Sequence, residues 1–223
     1  MRKKEIALIV VSGLEKIYPE TACMLEYNKE KPYELMIAGR LSAQCTDARV
    51  NIVTKTLFAR FQSLEEFADA DISEIEEIVK PCGLYKTKAK SIVQMCQMLI
   101  EKFDGKIPKT IEELTSLSGI GRKTANLIMG DINGEPAIVT DTHFIRITRR
   151  LGLTANSDPK KVEDDLRVLI PPEKSSDFCH RIVFFGREYC SARTPKCNEC
   201  PLKSYINENI SEKNKFECRI EKK

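Results

Sequence analysis

The stretch LSGIGRKTAN, Leu117–Asn126, decides how this chain folds. Two glycines within three residues cost about 1 kcal/mol each against alanine inside a helix, so Gly119-Ile120-Gly121 reads as a break between helices. Upstream, Thr110 with Glu113 fits an N-terminal capping box and starts a helix that runs to Leu117. Downstream, Arg122 opens a second helix that runs to Ile132. Glycine in such a turn serves a left-handed backbone or the close approach of another molecule. The second helix begins with unpaired N–H groups and the positive end of a dipole, which suits a phosphate, and Arg122 or Lys123 would add charge. An ordinary helical corner with solvated cations would carry the same letters.

Outward from the hairpin the periodicity stays helical. Val50, Val53, Leu57, Phe58 and Phe61 form one apolar stripe, and Ala89, Ile92, Val93, Cys96, Ile100 and Phe103 form another. Ser63 with Glu66 and Ser73 with Glu76 fit further capping boxes, and Asp158-Pro159 reads as a cap and first helical residue. Stops fall at Pro81, at Asp104-Gly105 and at Pro171-Pro172. Ala137–Val139 is the only strand-like run and is too short to found a sheet. The expected fold is all-α.

At 223 residues the chain is long enough for a sizeable core or for two modest ones. The early apolar run Ile6–Val11 is too short to span a bilayer, and without a cleavage site it reads as no signal peptide. The expected compartment is the cytoplasm. A net charge of only +3 does not by itself indicate nucleic acid; the local groups Arg146, Arg149, Arg150 and Arg187, Arg193, Lys196, Lys203 are equally readable as solvated faces. Nine cysteines without secretory context argue against a disulfide scaffold. Cys23, Cys45, Cys82, Cys96 and Cys179 read as small buried hydrophobes, whereas Cys190, Cys197, Cys200 and Cys218 crowd the C-terminal end.

The segment IVTDTHFIRITRRLGL, Ile138–Leu153, places Asp141 where a helix should start. An N-cap role alone would explain it. After an apolar run, however, it also sits near the wall of whatever cleft the helices enclose. A lysine at a helix N-terminus loses proton affinity through the dipole and through burial, which favours use as a nucleophile. The 18 residues from Lys123 to Asp141 fit one helix and a return loop, so both residues are expected to face one groove.

Together these segments resemble the endonuclease III family of DNA glycosylases. LSGIGRKTAN resembles the family's helix-hairpin-helix and VTDTH its catalytic aspartate segment. LSAQCTD (Leu41–Asp47), CGLYKTKA (Cys82–Ala89) and the C-terminal GREYCSARTPKCNECP match further family segments in order, covering about Pro32–Pro201. The resemblance implies two helical lobes: a six-helix bundle from about 25 to 135 with the hairpin, and a second lobe from 1–24 and 136–223 with a cysteine loop. DNA would lie across the cleft between them. It also implies that Lys123 attacks C1′ of a damaged nucleotide, that Asp141 stabilises the oxocarbenium-like sugar and assists the amine, and that a Schiff base and strand nicking follow. The lysine favours a bifunctional glycosylase and abasic-site lyase acting on oxidised pyrimidines in duplex DNA, as a monomer. Gln44 and Leu84 fall at the family's wedge positions, which fill the stack when a base is turned out. Gly119, Gly121 and Arg122 would hold backbone phosphate, and His143 would touch phosphate or the base pocket. Two other readings stay open: a monofunctional glycosylase of different base preference, and a non-catalytic module that binds damaged or bent duplex.

Cys190, Cys197 and Cys200 have the spacing of the first three ligands of the family's [4Fe–4S] cluster. Its fourth falls at position 206, which here is Ile206, a residue without a ligand atom. Cys218 is the only later cysteine, with 17 residues intervening after Cys200. Closing that longer loop costs only about 1 kcal/mol more than closing the short one. Three outcomes stay open: a cluster completed by Cys218, a cluster-free loop, and zinc or a three-iron cluster.

Overall fold

The computed structural model describes residues 3–210 and 216–219. Among them the regular elements are α-helices and short 3-10 turns, with no strand. In chain order the helices are α1 (Lys3–Ile17), α2 (Tyr33–Leu41), α3 (Asp47–Arg60), α4 (Leu64–Ala68), α5 (Ile72–Val79), α6 (Tyr85–Phe103), α7 (Ile111–Ser116), α8 (Arg122–Asp131), α9 (Thr142–Arg150), α10 (Pro159–Arg167), α11 (Ser175–Glu188) and α12 (Pro201–Asn209). They fall into two compact units, Cys23–Gly134 and Met1–Ala22 with Glu135–Lys223.

The first unit is a helical bundle of six longer helices and the five-residue α4. Both stripes turn inward: Val50, Val53, Leu57 and Phe61 are buried, as are Ala89, Ile92, Val93 and Cys96. Each fully buried aliphatic side chain contributes about 1.5–3 kcal/mol, so the stripes, rather than propensity, hold these helices. Local chemistry sets the ends. Ser63 Oγ accepts from Glu66 N at 3.1 Å and Thr110 Oγ1 from Glu113 N at 3.2 Å. At α5 the cap is Asp71 rather than Ser73: its Oδ1 accepts from Ser73 N at 2.9 Å. Aspartate caps at least as well as serine, so the helix starts earlier and leaves Ser73 in its first turn. α6 stops at Asp104 and Gly105, which turn left-handed at φ 59° and 71°.

The second unit is built on α1, α9, α10, α11 and α12. Ala7, Val10, Val11 and Leu14 give α1 a buried face at i, i+3, i+4 and i+7. This helix packs on α11 and α12, while α9 packs on α11. Phe144 and Phe178 meet edge to face at 5.8 Å in the same core. Asp158 caps α10 with Pro159 as its first residue. Ala137–Val139 runs as irregular chain into α9.

Candidate functional site

The candidate residues sit in two local assemblies, one in each unit. In the Cys23–Gly134 unit the hairpin is α7, the turn Leu117–Gly121 and α8. Its two glycines have different physical grounds. Gly119 is left-handed at φ 77°, and a methyl group built on it would stand 2.5 Å from Arg40 Nε and 2.9 Å from Ser91 Oγ. The turn therefore lies directly against α2 and α6. Gly121, the N-cap of α8, has φ −94° and ψ 172°, which any residue adopts, and a methyl group there would meet nothing within 4 Å. Nothing in the folded chain demands glycine at 121. A second molecule that comes close to the α8 amides would.

Arg122 and Lys123 are exposed in the first turn of α8. The burial expected for Lys123 is not found: the folded chain leaves this side chain in solvent. α8 is seated by Gly39 of α2, where an added methyl group would lie 2.7 Å from Thr124 Cγ2.

Gln44 and Leu84 share one unusual property. Both have left-handed backbones, at φ 55° and 49°; the only other non-glycine of this kind among the described residues is Asp104, at a helix end. Leucine gains nothing locally from this region, which costs about 1–2 kcal/mol, and the Leu84 side chain is 55% exposed. Gln44 is exposed as well. Strain carried by two exposed side chains is a pointer to function. The two loops converge on a residue that sequence reasoning passed over. Lys88 of α6 is fully buried, and its Nζ donates to the carbonyl oxygens of Leu41 at 2.9 Å and of Cys82 at 2.8 Å. Ser91 Oγ donates to the Lys88 carbonyl at 2.9 Å and accepts from Arg40 Nε at 2.6 Å. That chain of bonds runs from the loops that bear Gln44 and Leu84 to the guanidinium under Gly119. A signal was present: Lys88 precedes Ile92 by four residues and so lies on the buried stripe.

The second assembly centres on α9. Asp141 is its N-cap, with Oδ1 accepting from Phe144 N at 2.6 Å. His143 is half-buried, with Nδ1 3.1 Å from Arg146 Nη2. Gly186 of α11 makes room for this ring, since a methyl group there would lie 2.5 Å from Nδ1. Arg146 and Arg150, readable as solvated charges, are instead spent on the cysteine loop. Arg146 Nη2 donates to the Cys190 carbonyl at 2.9 Å. Arg150 donates to the carbonyls of Ser191 at 2.7 Å and Ala192 at 2.9 Å, and its Nη1 lies 3.2 Å from Cys190 Sγ. Partial burial lowers the pKa of Arg146, and the Cys190 thiol and the Asp141 carboxyl oppose that shift. One helix thus carries the aspartate at its start and grips the cysteine loop along its length.

Cys190, Cys197, Cys200 and Cys218 line a single cavity of about 180 Å³, together with Ile147, Arg150 and Lys203 among others. Ile206 is not part of it. It is fully buried in the hydrophobic core of its unit, on the inner face of α12. The segment bearing Cys218 is held on both sides: Phe216 N donates to Asn207 Oδ1 at 2.8 Å, and Arg219 N donates to the Arg150 carbonyl at 2.7 Å. Burial and the neighbouring thiols Cys200, Cys190 and Cys197 push the Cys218 thiol up to about 12. A cationic iron centre would reverse that, because metal ligation deprotonates a thiol. Among the described residues no group of three or more His, Cys, Asp or Glu side chains is set to hold a single metal ion. The four thiols instead surround room for a larger group, which fits a four-thiolate cluster. Of the remaining cysteines, Cys82, Cys96 and Cys179 are buried, and Cys23 and Cys45 are half-buried.

Residues 37–172 match the family model for the HhH-GPD superfamily base excision DNA repair protein, and residues 190–205 match the iron-sulfur binding domain of endonuclease III. Endonuclease III of Synechocystis sp. is 44% identical over 201 residues, covering 90% of this chain and 91% of that protein. A solved non-covalent endonuclease III–DNA complex superimposes with a TM-score of 0.85 at 40% identity, covering 92% of this chain and 95% of that one. A trapped endonuclease III–DNA covalent intermediate, an estranged-adenine complex, also gives 0.85, at 38% identity and 98% and 96% coverage. The class is that of helix-hairpin-helix base excision repair DNA glycosylases. Within it, the chain belongs to the endonuclease III family, whose members combine glycosylase with abasic-site lyase activity and carry a [4Fe–4S] cluster.

Proposed function

We propose that this enzyme removes oxidised pyrimidines from duplex DNA and nicks the strand 3′ to the abasic site, with Lys123 as nucleophile and Asp141 as its carboxylate partner. The carrying observation is an exposed lysine in the first turn of the hairpin's second helix, beside an N-terminus left open at Gly121. The Nζ lone pair forms a bond to C1′ as the C1′–base bond breaks and its electron pair leaves with the base. Loss of the amine proton and opening of the sugar give a Schiff base. Removal of a C2′ proton then expels the 3′ phosphate and breaks the strand. The Asp141 carboxylate stabilises positive charge at C1′ and accepts the amine proton. Duplex DNA with a damaged base or an abasic site is the partner. Gly119, Gly121 and Arg122 hold backbone phosphate, Gln44 and Leu84 fill the vacated stack, and His143 completes the contacts from α9. The enzyme works as a monomer in the cytoplasm.

Borohydride reduction in the presence of abasic-site duplex tests the chemistry. A covalent adduct lost in Lys123→Gln is expected; an undiminished adduct in that variant would refute the assignment. A panel of duplexes bearing oxidised, deaminated and mismatched bases tests the lesion class.

The cluster is held by Cys190, Cys197, Cys200 and Cys218, with Cys218 in place of a ligand at position 206. When bound, such a cluster can exchange single electrons and joins its protein ligands into one rigid loop. Iron analysis and electron paramagnetic resonance of anaerobically purified protein test this ligand set. About four irons per chain are expected in the parent, with loss of iron or a three-iron signal in Cys218→Ser. A Cys218→Ser protein that retains the full cluster would overturn it.

A further inference from the structure

Lys88 is fully buried and bonded to no carboxylate in the contacts described above: its two partners are the carbonyls of Leu41 and Cys82. Burial lowers its pKa, with Arg40 adding to that and the Cys82 and Cys45 thiols opposing it. For stability alone the arrangement is a poor one, because a methionine of similar volume would fill the space without desolvating an ammonium group. What lysine provides and methionine lacks is a set of rigidly placed donors, and the position of its two acceptors is informative. Leu41 ends α2, three residues before Gln44. Cys82 stands two residues before Leu84. Both loops then enter a left-handed conformation at those exposed side chains. Burial, with the Cys45 thiol of the other loop beside it, pushes the Cys82 thiol up to about 11.

We propose that Lys88 is a positioning residue for base extrusion: its ammonium group fastens the two loops together, so that Gln44 and Leu84 enter the duplex as one rigid two-pronged wedge. This rests on the reading of Gln44 and Leu84 as stack-filling side chains. Rigidity matters because each prong sits on a strained backbone that would relax if its loop were free. A wedge that relaxes as it meets the stack loses the energy needed to unpair a base, a few kcal/mol. Lys88 touches neither the sugar nor the base. Its effect reaches the chemistry only through loop position.

The test uses the full-length enzyme and three readouts. Rapid-mixing fluorescence of 2-aminopurine beside a lesion reports extrusion, single-turnover excision reports chemistry on duplex, and borohydride trapping on a single-stranded abasic oligonucleotide reports chemistry that needs no wedge. Lys88→Met is expected to slow extrusion and duplex excision about tenfold, with single-strand trapping unchanged; Lys88→Gln, which keeps an N–H donor, recovers part of the rate. In a Gln44→Ala/Leu84→Ala background, adding Lys88→Met should cause no further loss, since the residue acts through those prongs. If Gln44→Ala/Leu84→Ala alone leaves extrusion unchanged, the wedge reading itself fails. If that pair slows extrusion and Lys88→Met does not, the wedge stands and the role of Lys88 is refuted. Equal losses on duplex and single strand, additive losses in the combined variant, or failure of both Lys88 variants to fold would each assign Lys88 to ordinary core stability and overturn the proposal.

Discussion

The hairpin turn supports a contrast between two substitutions that look alike in the sequence, Gly119→Ala and Gly121→Ala. At 119 an alanine must hold φ 77°, and its methyl group would lie 2.5 Å from Arg40 Nε and 2.9 Å from Ser91 Oγ. The left-handed backbone costs about 1–2 kcal/mol. Displacing Arg40 loses its bond to Ser91, about 0.5–1.5 kcal/mol. The total of about 1.5–3.5 kcal/mol lowers the melting temperature by roughly 3–14 °C for a chain of this size. At 121 the backbone already suits alanine and the methyl group meets nothing. Alanine caps a helix less well than glycine by roughly 0.5–1 kcal/mol, and it removes chain entropy from the unfolded state worth about 0.4–1 kcal/mol. These offset, so Gly121→Ala should melt with the parent. DNA affinity behaves oppositely to stability at this position. A methyl group over the α8 amides pushes away a phosphate oxygen, and losing a charge-assisted N–H bond costs about 1.5–3 kcal/mol, a roughly 10- to 100-fold weaker Kd. Melting followed by circular dichroism and fluorescence anisotropy with a duplex carrying a stable abasic analogue, at one fixed salt concentration, measure the two quantities. A Gly121→Ala protein that keeps its melting temperature and binds within twofold of the parent would refute a phosphate at that helix end.

Three other outcomes follow from particular contacts. Asp141→Asn keeps an N-cap acceptor, so it should melt like the parent yet lose most glycosylase turnover, whereas Asp141→Ala loses about 1 kcal/mol of stability in addition; single-turnover excision and calorimetry separate the two. Ile206→Ala removes a fully buried side chain and should cost about 2–5 kcal/mol while the iron content of anaerobically purified protein stays the same, because that position packs the core. Asp165 accepts from Asn156 Nδ2 at 2.8 Å and from the Thr154 hydroxyl, and these bonds hold its carboxyl below the usual range. Its contribution is present above the unfolded-state value near pH 4 and fades as pH falls through the folded value, so acid titration of Asp165→Asn should show a shallower loss of stability below about pH 4.

How far a sequence discloses such a molecule depends on the range over which each feature is decided. The hairpin, the caps at Ser63, Thr110, Asp141 and Asp158, and the two buried stripes are decided within one or two turns of chain, and all of them could be read from neighbouring letters. Even the error at Ser73 was local, since two good capping residues stand two positions apart and the aspartate prevails. Other features are decided by what packs against a residue, and neighbouring letters do not carry that. Arg146 and Arg150 read as solvated charges until α9 lies beside the cysteine loop and their guanidinium groups meet its carbonyls. Lys88 reads as one of several lysines in KTKAK, and only its register with Ile92 separates it from those that face solvent. The two glycines of the hairpin lie between these cases. A turn signal covers both, yet Gly119 answers to Arg40 and Ser91 within the chain, while Gly121 answers to nothing there. A glycine whose own structure would accept a side chain is where the requirement of a second molecule can be tested apart from the fold, and on the proposed function Gly121 is such a position.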